Sequence, residues 1–212
     1  FYFKSDYNPW NRMIFGDGSG YYAYLPAVFI YRDLSFKFKE EVEKKYYPPD
    51  YYNHYLNEVE GKKINKFNIG LSILWIPFFV IAHLVSYITG FPTDGYSEFY
   101  QYAVGVSCIF YLYLGLKLLK KMLISFQFSD YLISYTLLLI VLGTNVFYYT
   151  IFDPSLTHVY SFFVITWLYI SVIIYSQKST FSTLMLISFI AGIIVLVRPI
   201  NIIAFLAVPF LF

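Results

Sequence analysis

The chain is organised around the stretch Gly16-Asp17-Gly18-Ser19-Gly20-Tyr21-Tyr22-Ala23-Tyr24-Leu25-Pro26. Its three alternating glycines allow a positive φ or the close approach of a ligand to the backbone. They hold a single carboxylate, Asp17, directly ahead of an aromatic segment. Two interpretations stay open: a turn in which Asp17 caps a helix that begins near Gly20, or an acid positioned for chemistry.

Composition indicates a membrane protein. Hydrophobic residues make up 58% of the chain and aromatic residues 24%, whereas only 13% are charged, against roughly a quarter in soluble proteins. Nine of the 28 charged side chains follow Phe67. We therefore predict an all-α polytopic membrane protein. Residues 1–67 form a large outer loop that carries juxtamembrane helices and Asp17, and residues 68–212 form transmembrane helices.

Several classes of protein are excluded or disfavoured. The net charge of +2 is small and dispersed, so no nucleic-acid partner is predicted. The single cysteine excludes internal disulfides and cysteine-based zinc sites, and the three histidines lack metal-binding spacing. No cofactor is therefore predicted, and a divalent metal is not indicated. The glycine spacing is not a dinucleotide fingerprint, because aromatic residues follow where a phosphate-binding helix would begin.

The outer loop has a distinct pattern. Gly20 to Tyr31 is apolar and rich in tyrosine, but it is shorter than the roughly 20 residues that span a bilayer. It is predicted to lie in the membrane interface. The charges between Lys37 and Lys45 predict a short solvated helix that ends before Pro48, and Tyr51 to Phe67 is predicted to be irregular.

The first long apolar segment is Leu71 to Thr89. Pro77 leaves three arrangements open: a full span, a hairpin or a steep juxtamembrane helix. His83 would be costly against lipid, so we expect it to face protein or an aqueous cavity.

The remaining apolar segments predict four spans and the start of a fifth at residue 200: Tyr100–Leu119, Tyr131–Thr150, Leu156–Tyr175 and Phe181–Val197. Ser129-Asp130 is predicted to cap the second of these helices, and Asp153, followed by Pro154 at the first helical position, is predicted to cap the third. Because the chain starts without methionine and ends within an apolar segment, we expect further transmembrane segments at both ends.

Lysine positions predict the topology. The cluster at residues 117–121 and Lys178 share one side, which the positive-inside rule makes the cytoplasm. Asp153 and Arg198 then lie outside. We place the large loop outside as well, because long polar loops translocate largely regardless of their charge. This placement requires Leu71 to Thr89 to re-enter the membrane without crossing it.

A family resemblance covers nearly the whole chain in order. It is carried by the opening stretch from Asp17 to Pro26 and by the following stretches: Lys66-Phe67-Asn68-Ile69-Gly70, Leu74-Trp75-Ile76-Pro77-Phe78-Phe79, Ala82-His83, Gly95-Tyr96-Ser97, Gly143-Thr144-Asn145-Val146-Phe147-Tyr148-Tyr149, Thr157-His158-Val159-Tyr160-Ser161-Phe162 and Arg198-Pro199-Ile200-Asn201. The chain resembles the N-terminal part of GT-C superfamily membrane glycosyltransferases, in a bacterial branch related to protein O-mannosyltransferases and aminoarabinose transferases. Thr157 stands where serine is more usual, which keeps the hydroxyl.

The resemblance implies a GT-C-like helix bundle whose first outer loop supplies a catalytic acid, here Asp17. It also implies a polyprenyl-phosphate-linked sugar donor and a glycan, lipid or protein acceptor at the outer face of the cytoplasmic membrane. A general base must lie within hydrogen-bond reach of the acceptor hydroxyl, and a carboxylate at a glycine turn on the membrane surface suits that role.

Basic and aromatic side chains are candidates for binding substrate. Arg198 has a permanent charge and forked donors that suit a departing phosphate, although simple snorkelling also explains its position. The further candidates are His158, Lys66, Tyr21 and His83. The alternatives to a transferase are a transporter or flippase of lipid-linked saccharides, or a polysaccharide polymerase or ligase. Polar groups gather at predicted helix ends and not at the membrane midplane, which favours surface chemistry.

Overall fold

The computed structural model describes residues 13–47 and 54–211. Residues 1–12, 48–53 and 212, which belong to the two predicted domains, lie outside the described residues. The α-helices are α1 (Asp17–Tyr22), α2 (Tyr24–Pro26), α3 (Lys39–Tyr46), α4 (Gly70–Thr89), α5 (Glu98–Ser125), α6 (Asp130–Gly143), α7 (Val146–Ile151), α8 (Thr157–Gln177) and α9 (Phe181–Val197). A π-helical turn (Ala27–Tyr31), strands β1 (Leu56–Val59) and β2 (Lys62–Asn65), and a 3₁₀-helix (Pro199–Phe210) complete the elements.

The helices form two compact units. The first contains the described residues up to Ser107 together with Asp153–Ser155, and the second contains Cys108–Phe152 and the described residues from Leu156 onward. The predicted boundary between residues 67 and 68 concerns placement relative to the bilayer, and it stays a prediction.

Three helices in the described part of the chain, α4, α5 and α8, are long and apolar enough to cross a membrane. Helix α9 has the predicted bounds, but with 17 residues it is shorter than these three helices. A bilayer core requires about 20 residues in helical form. The chain is therefore a mostly helical protein with candidate membrane-spanning helices, whereas the number of crossings and their orientation stay predictions.

The predicted interfacial helix is helical but begins earlier than expected. α1, α2 and the π-helical turn follow one another without a break, because the N–H groups of Ala23 and Ala27 donate to the carbonyls of Ser19 and Ala23. Asp17 is the first residue of α1, and Gly16 takes the N-cap position with a φ of 55°. Of the two interpretations of this stretch, the one in which Asp17 caps a helix that begins near Gly20 is therefore wrong.

Tyr22 connects α1 to the rest of the first unit. Its side chain is only 1% exposed, and its hydroxyl donates to the carbonyl of Gly95 at 2.6 Å. Its ring packs against Trp75, Phe79 and Tyr96, with centroids 5.5 to 6.1 Å apart. This aromatic core holds α1 on α4 and on the segment that precedes α5.

The expectation of an irregular segment from Tyr51 to Phe67 is wrong for its described part. β1 and β2 pair as an antiparallel hairpin in which Val59 is opposite Lys62. The two turn residues, Glu60 and Gly61, have φ values of 50° and 74°. Positive φ at both positions matches the right-handed twist of the strands, so a two-residue turn closes the hairpin.

The hairpin arrangement considered for Leu71 to Thr89 is also wrong, because α4 continues through Pro77 to Thr89. Gly90 is its C-cap and has a φ of 76°. Proline removes one backbone donor, and apolar helices accommodate this where neighbouring groups supply other partners. At 20 residues α4 is long enough to cross a bilayer.

The predicted span from Tyr131 to Thr150 is wrong as a single helix, because α6 and α7 are separate. Thr144 has extended backbone angles, and its hydroxyl donates to the Ile140 carbonyl at 2.6 Å and accepts from the Val146 N–H at 3.2 Å. One hydroxyl therefore makes hydrogen bonds to the end of α6 and to the start of α7. Threonine side chains can replace helical backbone hydrogen bonds in this way.

The two predicted helix caps have different outcomes. The Ser129 side chain accepts from the Leu132 N–H at the start of α6, which confirms that cap. Asp153 does not cap α8, because that helix begins at Thr157 with Leu156 at the N-cap. Pro154 and Ser155 are buried before the helix starts, so the chain enters α8 from a packed turn.

Asp94 joins α3 to the segment between α4 and α5. One carboxylate oxygen accepts from Lys45 Nζ at 2.6 Å and from the Tyr46 hydroxyl at 2.5 Å. The other accepts from the N–H groups of Tyr96 and Ser97 at 3.0 and 3.2 Å. Burial alone would raise the pKa of Asp94, but these hydrogen bonds and the Lys45 charge hold that pKa below its ordinary value.

Replacing Asp94 with asparagine is expected to lower the free energy of unfolding by about 1–2 kcal/mol at neutral pH. Because the folded pKa is lowered, the carboxylate stabilises the fold above the unfolded pKa of about 3.9 and stops doing so as pH falls through the folded value. Thermal unfolding from pH 7 to pH 3 should therefore show the two proteins converging in acid. A gap that stays constant over this range would contradict the assignment.

Candidate functional site

Asp17 is an exposed residue at the start of a segment that is otherwise buried. Its side chain is exposed, whereas the next three residues, Gly18, Ser19 and Gly20, are buried. A β-carbon at Gly18 would overlap the side chain of Ser155. A β-carbon at Gly20 would overlap the ring of Phe67 and lie 2.8 Å from the β-carbon of Tyr55. The two glycines therefore permit close packing of protein against α1.

The backbone of α1 is also held by hydrogen bonds from distant residues. Asn65 donates from its amide to the Gly20 carbonyl at 2.7 Å, and the Ser72 hydroxyl donates to the carbonyl of Tyr21. Within residues 13–47 and 54–211, no hydrogen bond or ion pair engages the Asp17 carboxylate. A fixed backbone thus presents a carboxylate whose oxygen atoms are open to an incoming hydroxyl.

Tyr21 and Lys66 both lie close to the ring of Phe67. Tyr21 is half-buried, and its ring centroid lies 4.8 Å from that of Phe67. Lys66 is exposed with its ammonium 5.1 Å from the centroid of the same ring. Because Tyr21 is one helical turn after Asp17, the structure brings these two candidates to the helix that carries the acid.

His83 faces protein, as expected for a histidine within an apolar helix. Its Nδ1 lies 2.6 Å from the Tyr100 hydroxyl, and its ring stacks near Phe79 with centroids 6.4 Å apart. The imidazole thus joins α4 to α5, and a role of His83 in binding substrate stays a prediction.

The second unit contains a polar cluster that we call the α8–α9 cluster, formed by His158, Ser161, Arg198 and Asn201. The His158 ring stacks on Tyr149, with centroids 3.7 Å apart and an interplanar angle of 7°. Arg198 is exposed and directly follows the last residue of α9. Asn201 donates from its amide to the Ser161 hydroxyl at 2.8 Å.

Local geometry explains this cluster. His158 and Ser161 are three residues apart on α8 and therefore share a face. The Asn201 N–H donates to the Arg198 carbonyl at 2.9 Å, so the two side chains leave one turn of the 3₁₀-helix. Guanidinium, imidazole and amide groups are hydrogen-bond donors that suit an anion.

Ser161, Asn201 and Tyr149 were not among the site residues predicted from the sequence. The i, i+3 spacing of His158 with Ser161, and of Arg198 with Asn201, is the signal that could have found two of them. The stacking of Tyr149 had no such signal, because it belongs to a separate helix.

No family model, curated protein or solved structure matches this chain. The GT-C resemblance therefore rests on the sequence stretches alone. Among the described residues, no group of three or more histidine, cysteine, aspartate or glutamate side chains could hold a metal ion.

Proposed function

We propose that the chain is part of a membrane glycosyltransferase that moves a sugar from a polyprenyl-phosphate donor to an acceptor hydroxyl. The reaction takes place at the outer face of the cytoplasmic membrane, toward the periplasm or exterior. The observation that carries the proposal is the exposed Asp17 carboxylate on an otherwise buried backbone. Among the described residues, no hydrogen bond or ion pair occupies this carboxylate.

Asp17 acts as the general base in this proposal. The acceptor oxygen attacks the anomeric carbon of the sugar, while its proton passes to a carboxylate oxygen of Asp17. The bond between the anomeric carbon and the phosphate oxygen breaks, and its electron pair stays on the lipid phosphate. Direct attack from the opposite face inverts the anomeric centre.

The α8–α9 cluster supports the assignment of a phosphate-binding role to Arg198. The departing phosphate gains negative charge in the transition state, so a fixed cation lowers the barrier. Arg198 supplies that charge together with forked N–H donors. Asn201 lies one turn after Arg198 and donates from its amide to the Ser161 hydroxyl, and His158 lies at the start of α8 on the same face as Ser161.

A transfer assay tests the proposal. The full-length protein, reconstituted in liposomes, receives a radiolabelled polyprenyl-phosphate sugar and a set of lipid, glycan and peptide acceptors. Label should appear in an acceptor together with free polyprenyl phosphate. Movement of intact donor across the bilayer without a new product would instead identify a flippase. Activity only with lipid-linked oligosaccharides would identify a polymerase or ligase, and either result would overturn the proposal.

Replacing Arg198 with alanine is expected to weaken donor binding at least about tenfold, since hydrogen bonds to charged groups contribute roughly 1.5–3 kcal/mol. Lysine at this position should restore part of the affinity, because it keeps the charge but loses the forked geometry. The measurement is donor KM in the transfer assay.

Lys178 provides the matched control, because it is an exposed cation that follows the other end of α8. Its replacement with alanine removes the same charge and should leave donor KM unchanged. Equal effects of the two alanine variants would indicate a general charge effect and would remove Arg198 from the site.

A further inference from the structure

A small cavity lies inside the first unit, between α1 and α3. Ser19 lines it from α1, and Lys39 and Glu43 line it from α3, while Tyr55 and Tyr96 contribute to its walls. The volume of the cavity is about 10 Å³. That is roughly the room that one ordered water requires.

The polar groups around the cavity are buried. Ser19 is only 3% exposed, and its Oγ has no hydrogen-bond partner among the described residues. Lys39 is 8% exposed, and its Nζ lies 3.4 Å from Glu43 Oε2. A buried hydroxyl without a partner is costly, so native structures supply one from protein or from water.

We propose that this cavity is a binding site for one water molecule that bridges the Ser19 hydroxyl and the Lys39–Glu43 ion pair. The ion pair is neutral overall, so no additional ion is needed to balance charge. The hydroxyl, the carboxylate and the ammonium offer the two to four polar partners that hold a buried water.

The bridging water joins α1 to α3. Ser19 is two residues after Asp17 on α1, whereas Lys39 and Glu43 are one turn apart on α3. Water-mediated hydrogen bonds are nearly as favourable as direct ones. The site exists whether or not the chain transfers sugar, so it stands independently of the function proposed above.

A structure of the full-length protein, at a resolution that shows ordered waters, tests the site directly. Density for one water should lie within hydrogen-bond distance of Ser19 Oγ and of the Glu43 carboxylate. An empty cavity, or a direct hydrogen bond between Ser19 and Glu43, would overturn the proposal.

The thermal stability of a Ser19→Ala variant gives a second test. The direction of the change in stability shows whether the Ser19 hydroxyl is hydrogen-bonded to water or has no partner. If water satisfies the hydroxyl, its removal loses a hydrogen bond and the thermal midpoint should fall by about 2–4 °C. If the hydroxyl is unsatisfied, its removal relieves a cost, so an unchanged or raised midpoint would contradict the site.

Ser107 provides a matched control for the water density, because it is a fully buried serine in α5 whose hydroxyl donates to the Val104 carbonyl at 2.7 Å. A Ser107→Ala variant should keep the cavity water, whereas Ser19→Ala should lose it. Loss of the water in both variants would count against a specific role for Ser19.

Discussion

Replacing Asp17 with asparagine is expected to lower kcat for sugar transfer by about 10²- to 10⁴-fold, the usual contribution of a general base. Asparagine keeps the size of the side chain but accepts no proton near neutral pH. Donor binding should remain close to normal, because the proposal assigns the phosphate to Arg198. The thermal midpoint should also stay unchanged, since the Asp17 side chain is exposed and the described residues offer it no hydrogen bond.

The measurement is single-turnover transfer from a radiolabelled polyprenyl-phosphate sugar, with donor affinity determined separately. Glu58 provides the matched control, because it is an exposed acid on β1 in the same unit. Its replacement with glutamine should leave transfer unchanged. Near-normal turnover of the Asp17 variant would remove this residue as the base, and the function proposed for the opening stretch would go with it.

Replacing Gly20 with alanine is expected to lower the free energy of unfolding by about 3 kcal/mol, at the upper end of overpacking effects. The new methyl group would overlap the Phe67 ring and approach the β-carbon of Tyr55. Relief requires the hairpin side of the unit to move away from α1, which also strains the hydrogen bond from Asn65 to the Gly20 carbonyl. Alanine is the better helix former, so the loss arises from packing.

Gly192 is the control for this substitution. It lies within α9, and a β-carbon there would meet nothing within 4 Å. Alanine at this position should raise the free energy of unfolding by up to about 1 kcal/mol. Unfolding of both variants in detergent gives the comparison. A stabilised or unchanged Gly20→Ala protein would show that the approach of Phe67 and Tyr55 is not a constraint.

Local signals in the chain were sufficient for part of the fold. Composition alone indicated the helical membrane class, because so many apolar residues leave too few polar ones to cover a soluble surface. The bounds of α9, the position of α3 and the Ser129 cap were all predicted from neighbouring residues. Each depends on interactions within about one helical turn, so the sequence contains the necessary information.

The candidate site was predictable only in part. Asp17 was predicted because a carboxylate between glycines is unusual, and Arg198 was predicted because it follows an apolar segment. The role of the glycines could not be deduced, since Ser155 lies more than a hundred positions after Gly18. The pairing of Asn201 with Ser161 likewise depends on α8 and the 3₁₀-helix meeting within the second unit.

By itself, the sequence determined the class of protein and where most helices form, because burial preference and helix capping act over a few residues. Only the tertiary structure decided that α1 starts at Asp17, that a hairpin replaces the irregular loop, and that Thr144 separates α6 from α7. It also decided that Asp94 binds Lys45. These features depend on steric limits and hydrogen bonds that arise only after the chain has folded, and several of them join residues that are distant in sequence.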